Sequence, residues 1–144
     1  MTEALRAHFA DYAAFHRTPG NQACHSFGIP LIVLGSLALL ARVPLLAVGG
    51  LTVTLAEALI LAFVLYYLSL DVTLAAFMLV AYAGLDAAGR LIGPWPAAAI
   101  FIVGWVFQGV GHYVYEKNSP AFFKNFAHLA VGQLWILAKA VGRA

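Results

Sequence analysis

Charge is what this sequence has least of. Only 10% of its 144 residues are Asp, Glu, Lys or Arg, against 63% hydrophobic, and the mean hydropathy is +0.89. A soluble domain of ordinary composition is roughly 45–50% apolar and about 25% charged. So few charges cannot solvate a surface that meets water on every side, which excludes an ordinary soluble domain and leaves a surface facing lipid. Cysteine is almost missing: Cys24 stands alone, so no intrachain disulfide can form. Basic runs are missing as well. Eight Lys and Arg against six Asp and Glu give a net charge of +2, with no basic patch interleaved with aromatics, so nucleic acid is not an expected partner. The first seventeen residues hold Glu3, Arg6, Asp11 and Arg17 and no apolar core before a small-residue cleavage site, so no cleavable signal peptide is expected. Repeats, linkers and low-complexity tracts are absent too, and residues 1–144 read as one integral membrane domain.

What is present is a series of apolar runs. Residues 2–16 carry Leu5, Phe9, Tyr12 and His16 on one face of a 3.6-residue period, which predicts an amphipathic helix. Thr18-Pro19-Gly20-Asn21 should break it. Phe27 to Ala41 then predicts a first membrane span, with Arg42 closing it. A second apolar run goes from Leu45 to Leu70, interrupted by Gly49-Gly50 and Glu57. Asp71 suits an N-cap for a third span, Val72 to about Ala88. After a turn at Gly93-Pro94-Trp95-Pro96, a fourth runs from Ala97 to Tyr115. Each is near the roughly 17–25 residues that a crossing helix needs. Ser119-Pro120 reads as N-cap and first position of a last helix. Lys124, Asn125, His128, Lys139 and Arg143 share one of its sectors, and Phe122, Phe126, Leu129, Ile136 and Leu137 lie largely opposite. That pattern suits a helix in the membrane interface, though Phe126 to Ala138 is uncharged enough to cross.

The expected fold is therefore all-α: a polytopic bundle of about four transmembrane helices with amphipathic helices at both ends. Four crossings put both termini on one side with Arg6, Arg17, Lys117, Lys124, Lys139 and Arg143, and leave Arg42 and Arg90 on the other. Positive residues favour the cytoplasm, so both termini are expected there, and a bacterial inner membrane or an endoplasmic reticulum would suit.

This topology brings two distant segments to one membrane face. One holds Tyr12, His16, Asn21, His25, Gly28 and Pro30; the other holds Trp105, Gln108, Gly111, His112, Glu116, Lys117 and Pro120. On a helix His112 and Glu116 are neighbours at i, i+4. His16 and His25 flank the Pro-Gly turn and can fold toward a common point. Three imidazoles and a carboxylate can thus converge at one depth, where polar groups are costly and usually functional. Neutral imidazole suits iron, zinc, copper and nickel, and the spacing does not choose among them. Histidines at an interface also do plainer work, and His8 and His128 are expected only to cap or to meet headgroups. Glu57 and Asp86 are expected to neutralise each other or an arginine such as Arg90 across neighbouring helices. Trp95, Trp105 and Trp135 suit interfacial anchors, Gly111 suits close helix approach, and Asn21 and Gln108 suit helix caps or groups that orient the imidazoles.

These same segments resemble the family of fungal 2-hydroxy fatty acid dioxygenases and their bacterial relatives. The matching residues are His16, Pro19, Asn21 and His25, then Gly104, Trp105, Gln108, Gly111, His112, Glu116, Lys117, Pro120 and Ala121. Two long motifs in the right order and setting make the likeness specific over nearly the whole chain. It implies an iron(II) enzyme that shortens 2-hydroxy fatty acids by one carbon with O2. It also implies His16, His25 and His112 as iron ligands, with Glu116 as a fourth ligand or a base beside them. The hydroxyl and carboxylate of such a substrate would chelate the metal while its acyl chain lay among the spans. Tyr12, Arg17 and Lys117 are the candidates to meet the substrate. Gly109 and Tyr115 replace phenylalanines of the family motif, changes expected to reshape the pocket. The rival readings are a metal-dependent lipid hydrolase or hydroxylase, and a membrane protein that only binds lipid or a partner.

Overall fold

In a computed structural model that describes residues 1–120 and 125–144, the chain is mostly helical. Helix α1 spans Glu3–Ala14, capped by the Thr2 hydroxyl, which accepts from Leu5 N; Leu5, Phe9 and Tyr12 form its buried face, as the period predicts. Thr18-Pro19 does end the first helix, but by starting the second. The Thr18 hydroxyl accepts from Asn21 N at 3.3 Å and Pro19 sits in the first turn of α2, Pro19–Leu40. The crossing thus begins well before Phe27. Apolarity could not mark that start, because Asn21 and His25 turn into the protein rather than toward lipid.

The expected second span divides. Pro44–Val48 (β1) and Leu51–Thr54 (β2) pair as an antiparallel hairpin, with Leu46 opposite Val53 and Val48 opposite Leu51. Gly49 (φ +58°) and Gly50 (φ +84°) form the two-residue turn, a backbone that only glycine adopts without penalty. A hairpin is therefore added to the expected all-α fold. Helix α3 follows as Leu55–Leu68, with Thr54 and Glu57 forming a capping box. At 14 residues it is about 21 Å long, short of the roughly 30 Å hydrocarbon layer.

Helix α4 is Val72–Arg90, with the Asp71 carboxylate accepting from Leu74 N at 3.0 Å. Helix α5 starts at Pro94 and so absorbs the expected turn, since prolines in a first turn withhold N–H groups that have no partner anyway. It runs to Gly109 and continues as a π-helical segment, Val110–Glu116. Among the described residues three helices, not the four expected, are long and apolar enough to cross a membrane: Pro19–Leu40, Val72–Arg90 and the continuous Pro94–Glu116. Phe77, Val80, Ile102 and Val106 on them are exposed, as lipid-facing side chains are.

The last helix, α6, is Ala127–Ala140. Ser119 and Pro120 are not helical, and Ala121, Phe122 and Lys124 lie outside the described residues. The helix packs against α1, α2 and α4 with Val131, Leu134, Trp135 and Ala138 buried, whereas Phe126 and Leu129 of the expected apolar sector are exposed and His128 of the expected polar sector is buried. Trp135 is accordingly no interfacial anchor, whereas Trp95, 84% exposed, is placed like one.

The closest packing is between α2 and α5. Small residues recur every seventh position on both helices and meet in antiparallel order, Gly28 against Gly104 and Gly35 against Ala97. A Cβ at Gly104 would sit 2.8 Å from Gly28 O, and one at Gly35 2.8 Å from Ala97 O. The next step along the seam sets Gly111 beside Asn21, Cys24 and His25. This spacing carries His112 onto the flank of His25. At the other end of the bundle Arg90 pairs with Asp86 at 2.8 Å and with Glu57, the neutralisation expected for those acids.

Candidate metal centre

Three elements each deliver one imidazole. His16 stands in the link between α1 and α2, His25 lies one turn inside α2, and His112 is in the π-helical segment; all three are 2% exposed. Their ring centroids form a near-equal triangle of 4.4, 4.8 and 4.9 Å. One nitrogen from each lies within 4.8 Å of the other two, a spacing that could hold a metal ion.

Hydrogen bonding orients two of the rings. His16 Nδ1 is 2.7 Å from Tyr12 O, and His25 Nδ1 is 3.0 Å from Asn21 O. A carbonyl only accepts, so both Nδ1 atoms carry the proton. Burial also pulls His16 down to about 4, leaving it neutral near pH 7. Both Nε2 atoms then present bare lone pairs to each other at 3.1 Å. Two facing lone pairs repel, and a cation held between the rings would relieve that. Two nitrogens bound at about 2.1 Å and at a right angle lie about 3.0 Å apart, so the spacing fits a shared ion. His112 Nδ1, buried with no hydrogen-bond partner among the described residues, adds another nitrogen to the site. The donor set is all imidazole, which admits iron, zinc, copper or nickel.

The Glu116 carboxylate is engaged at the start of α2. Glu116 Oε1 accepts from Arg17 N at 3.0 Å, and Oε2 accepts from Thr18 N, Thr18 Oγ1 and Asn21 Nδ2 at 3.1, 2.9 and 3.0 Å. It ties the end of the π-helical segment to the start of α2. Asn21 works from both ends, giving its side chain to Glu116 and its carbonyl to His25. A π-helix is a wide turn often found at functional sites. Here it ends where the His112 carbonyl accepts from the N–H groups of Lys117 and Asn118, with Lys117 in a left-handed backbone (φ 54°).

A cavity of about 80 Å³ opens beside the three histidines, with Tyr12, Trp105, Gln108 and His128 among its walls. Residues 2–144 match the family described as 2-hydroxy-palmitic acid dioxygenase Mpo1-like. The chain belongs to this family. A 2-hydroxy-palmitic acid dioxygenase of Saccharomyces cerevisiae is similar to it, 28% identical over 127 residues that cover 88% of this chain and 73% of the yeast protein. No solved structure matches.

Within this Mpo1-like chain the remaining candidates divide. Tyr12 is in the cavity wall, stacked on His16 at 3.9 Å. Gln108 is there too, its Nε2 buried with no partner. Arg17 and Lys117 are exposed and not among the cavity residues, and the Arg17 guanidinium donates to Ala14 O. A Cβ at Gly109 would meet nothing and the Tyr115 ring lies against Gly20; neither residue is among those that line this cavity. His128, set aside in the sequence as a surface histidine, is 5% exposed and part of the wall. Its Nε2 bonds Asp11 at 2.7 Å, and its Nδ1 is buried without a partner among the described residues. The signal for it was faint: a histidine on α6 and an aspartate one turn from the exposed edge of α1.

Proposed function

We propose that this chain is an iron(II)-dependent dioxygenase that shortens 2-hydroxy fatty acids by one carbon. The observation that carries the reading is the pair of facing, unprotonated Nε2 atoms of His16 and His25, completed by His112, inside a chain of the Mpo1-like family. His16, His25 and His112 would hold the iron, which supplies activation of O2. The overall change balances: R–CH(OH)–COOH and O2 give R–COOH, CO2 and H2O, the hydroxyl-bearing carbon being oxidised and O2 taking four electrons.

The protein's own part is placement and exclusion. Tyr12 and Asn21 carbonyls fix the two Nδ1–H groups and so aim the Nε2 lone pairs. The buried Gln108 Nε2 and His128 Nδ1 have no hydrogen-bond partner among the described residues and are suited to the polar head of a hydroxy acid. Trp105, Ile29 and Ile32 line the same cavity and keep water out.

The test is metal content with oxygen uptake, on protein purified in detergent without chelator. Near-stoichiometric iron, lost in His16→Ala, His25→Ala and His112→Ala, with O2 consumed on adding a 2-hydroxy acid, is the expected result. Zinc in place of iron would favour lipid hydrolysis. No metal after anaerobic reconstitution with iron(II) would sink the proposal.

A further inference from the structure

The cavity at the histidines does not close behind them. Ile32, Val33, Trp105, Leu129 and Gln133 belong both to its wall and to that of a second cavity, of about 240 Å³, deeper in the bundle. The second adds Leu37, Leu59, Ile60, Phe63, Tyr82 and Phe101. Two of its polar side chains are already engaged: Tyr82 OH donates to Gln133 Oε1 at 2.7 Å and Gln133 Nε2 donates to Leu129 O at 3.0 Å. The rest of the wall is apolar apart from the Ser36 hydroxyl and the Trp105 indole. From His25 to Leu37 along α2 is about 18 Å at about 1.5 Å per residue, the scale of a long acyl tail. At the far side Leu59 and Phe63 separate this cavity from a groove formed with Ala62, Tyr66, Ala127 and Ala130. Phe63 is held there by Tyr67 and Tyr82, at 6.0 and 6.2 Å between centroids.

We propose that the second cavity is the acyl-tail subsite and that Phe63, by closing its far end, sets the longest chain accepted. This rests on the functional reading above for the head of the ligand; the tail site itself follows from the shared walls and their apolar lining. A straight chain gains affinity with every methylene that leaves water, about fourfold each. The gain stops where the cavity stops. Removing the Phe63 ring joins the cavity to the outer groove and moves the stop to longer chains. A larger side chain at Ser36, which lines the same cavity, moves it to shorter ones.

The experiment measures binding, not turnover. Saturated fatty acids of increasing length, without the 2-hydroxyl, compete against a chain-brominated fatty acid that quenches Trp105, which lines both cavities. The protein is held in nanodiscs, and the Trp105→Phe protein supplies the blank for acid dissolved in the bilayer. The expected result is affinity rising about fourfold per carbon to a plateau, displaced upward in Phe63→Ala and downward in Ser36→Leu. A plateau at the same length in both variants, or affinity indifferent to length, overturns the proposal. Should Phe63→Ala not fold, Ser36→Leu decides alone. Length-dependent binding without O2 uptake on 2-hydroxy acids would sink the enzymatic reading and keep the subsite. Uptake without length dependence would do the reverse.

Discussion

Glu116 and Asn21 hold the histidines from behind. The carboxylate collects four donors from Arg17, Thr18 and Asn21 where α2 begins, and Asn21 passes that anchorage to His25 through its own carbonyl. A ligand and a clamp differ in what they need. A metal ligand needs the charge and a free oxygen lone pair, while the clamp needs acceptors. Glu116→Gln keeps one acceptor and converts the other into a donor facing the donors of Thr18 and Asn21. It should therefore cost about 1–2 kcal/mol of stability, read as a lowered thermal midpoint, while iron per protein stays near the wild-type value. Iron lost as completely as in His112→Ala would make Glu116 a ligand. His128 shows the limit of reading residues by type. On sequence it belonged with a basic surface sector, and only the packing of α6 on α1 turns it into the wall of the site.

At the scale of elements, α1, α4 and the three histidines were legible because each carries a local signal: a 3.6-residue stripe, an N-cap, a motif. The seam between α2 and α5 was half legible. Gly111 was read as a close-approach residue, but the seven-residue register of Gly28 and Gly35 with Ala97 and Gly104 shows only when the helices are laid side by side. The hairpin was hidden because Leu45, Leu46, Val48, Leu51 and Val53 read as membrane core while the structure leaves them exposed. The Gly49-Gly50 pair was the turn signal inside that run. If the seam sets the distance between His25 and His112, a wedge far from both should empty the site. In Gly104→Val the Cβ would press on Gly28 O and Ile32, mostly backbone that cannot turn aside. We expect a loss of about 1–3 kcal/mol and a clear fall in bound iron, although no histidine is touched. Gly109→Ala, where a Cβ meets nothing, should leave iron unchanged and raise the thermal midpoint slightly. Equal iron in both variants would detach the seam from the site.

For the whole molecule the open matter is what α3 does, because it decides on which side each terminus lies. By length α3 falls short of a crossing, yet its two ends are fastened at opposite ends of the bundle. Glu57, in its first turn, pairs with Arg90 at the C-terminus of α4. Leu70, just past its last turn, accepts through its carbonyl from Thr2 Oγ1 at 2.8 Å, beside Asp71, which lies 3.6 Å from Arg143. The neighbours of Leu70 and Asp71 are thus the two terminal segments, and the histidines lie between the helices those segments form. If the bilayer thins around the short helix or the hairpin completes the passage, α3 counts as a pass. Four passes then return the chain to its starting side, with Arg6, Arg17, Lys117, Lys139 and Arg143 together and Arg42 and Arg90 opposite. Basic residues stay in the cytoplasm, so epitope tags at both ends should be cleaved by protease from the cytoplasmic face of sealed vesicles and protected from the other. Tags on opposite faces would mean that α3 lies in one leaflet. The contacts of α1 with α6 would then need a partner other than a simple bundle, because helices on opposite faces cannot place His128 on Asp11.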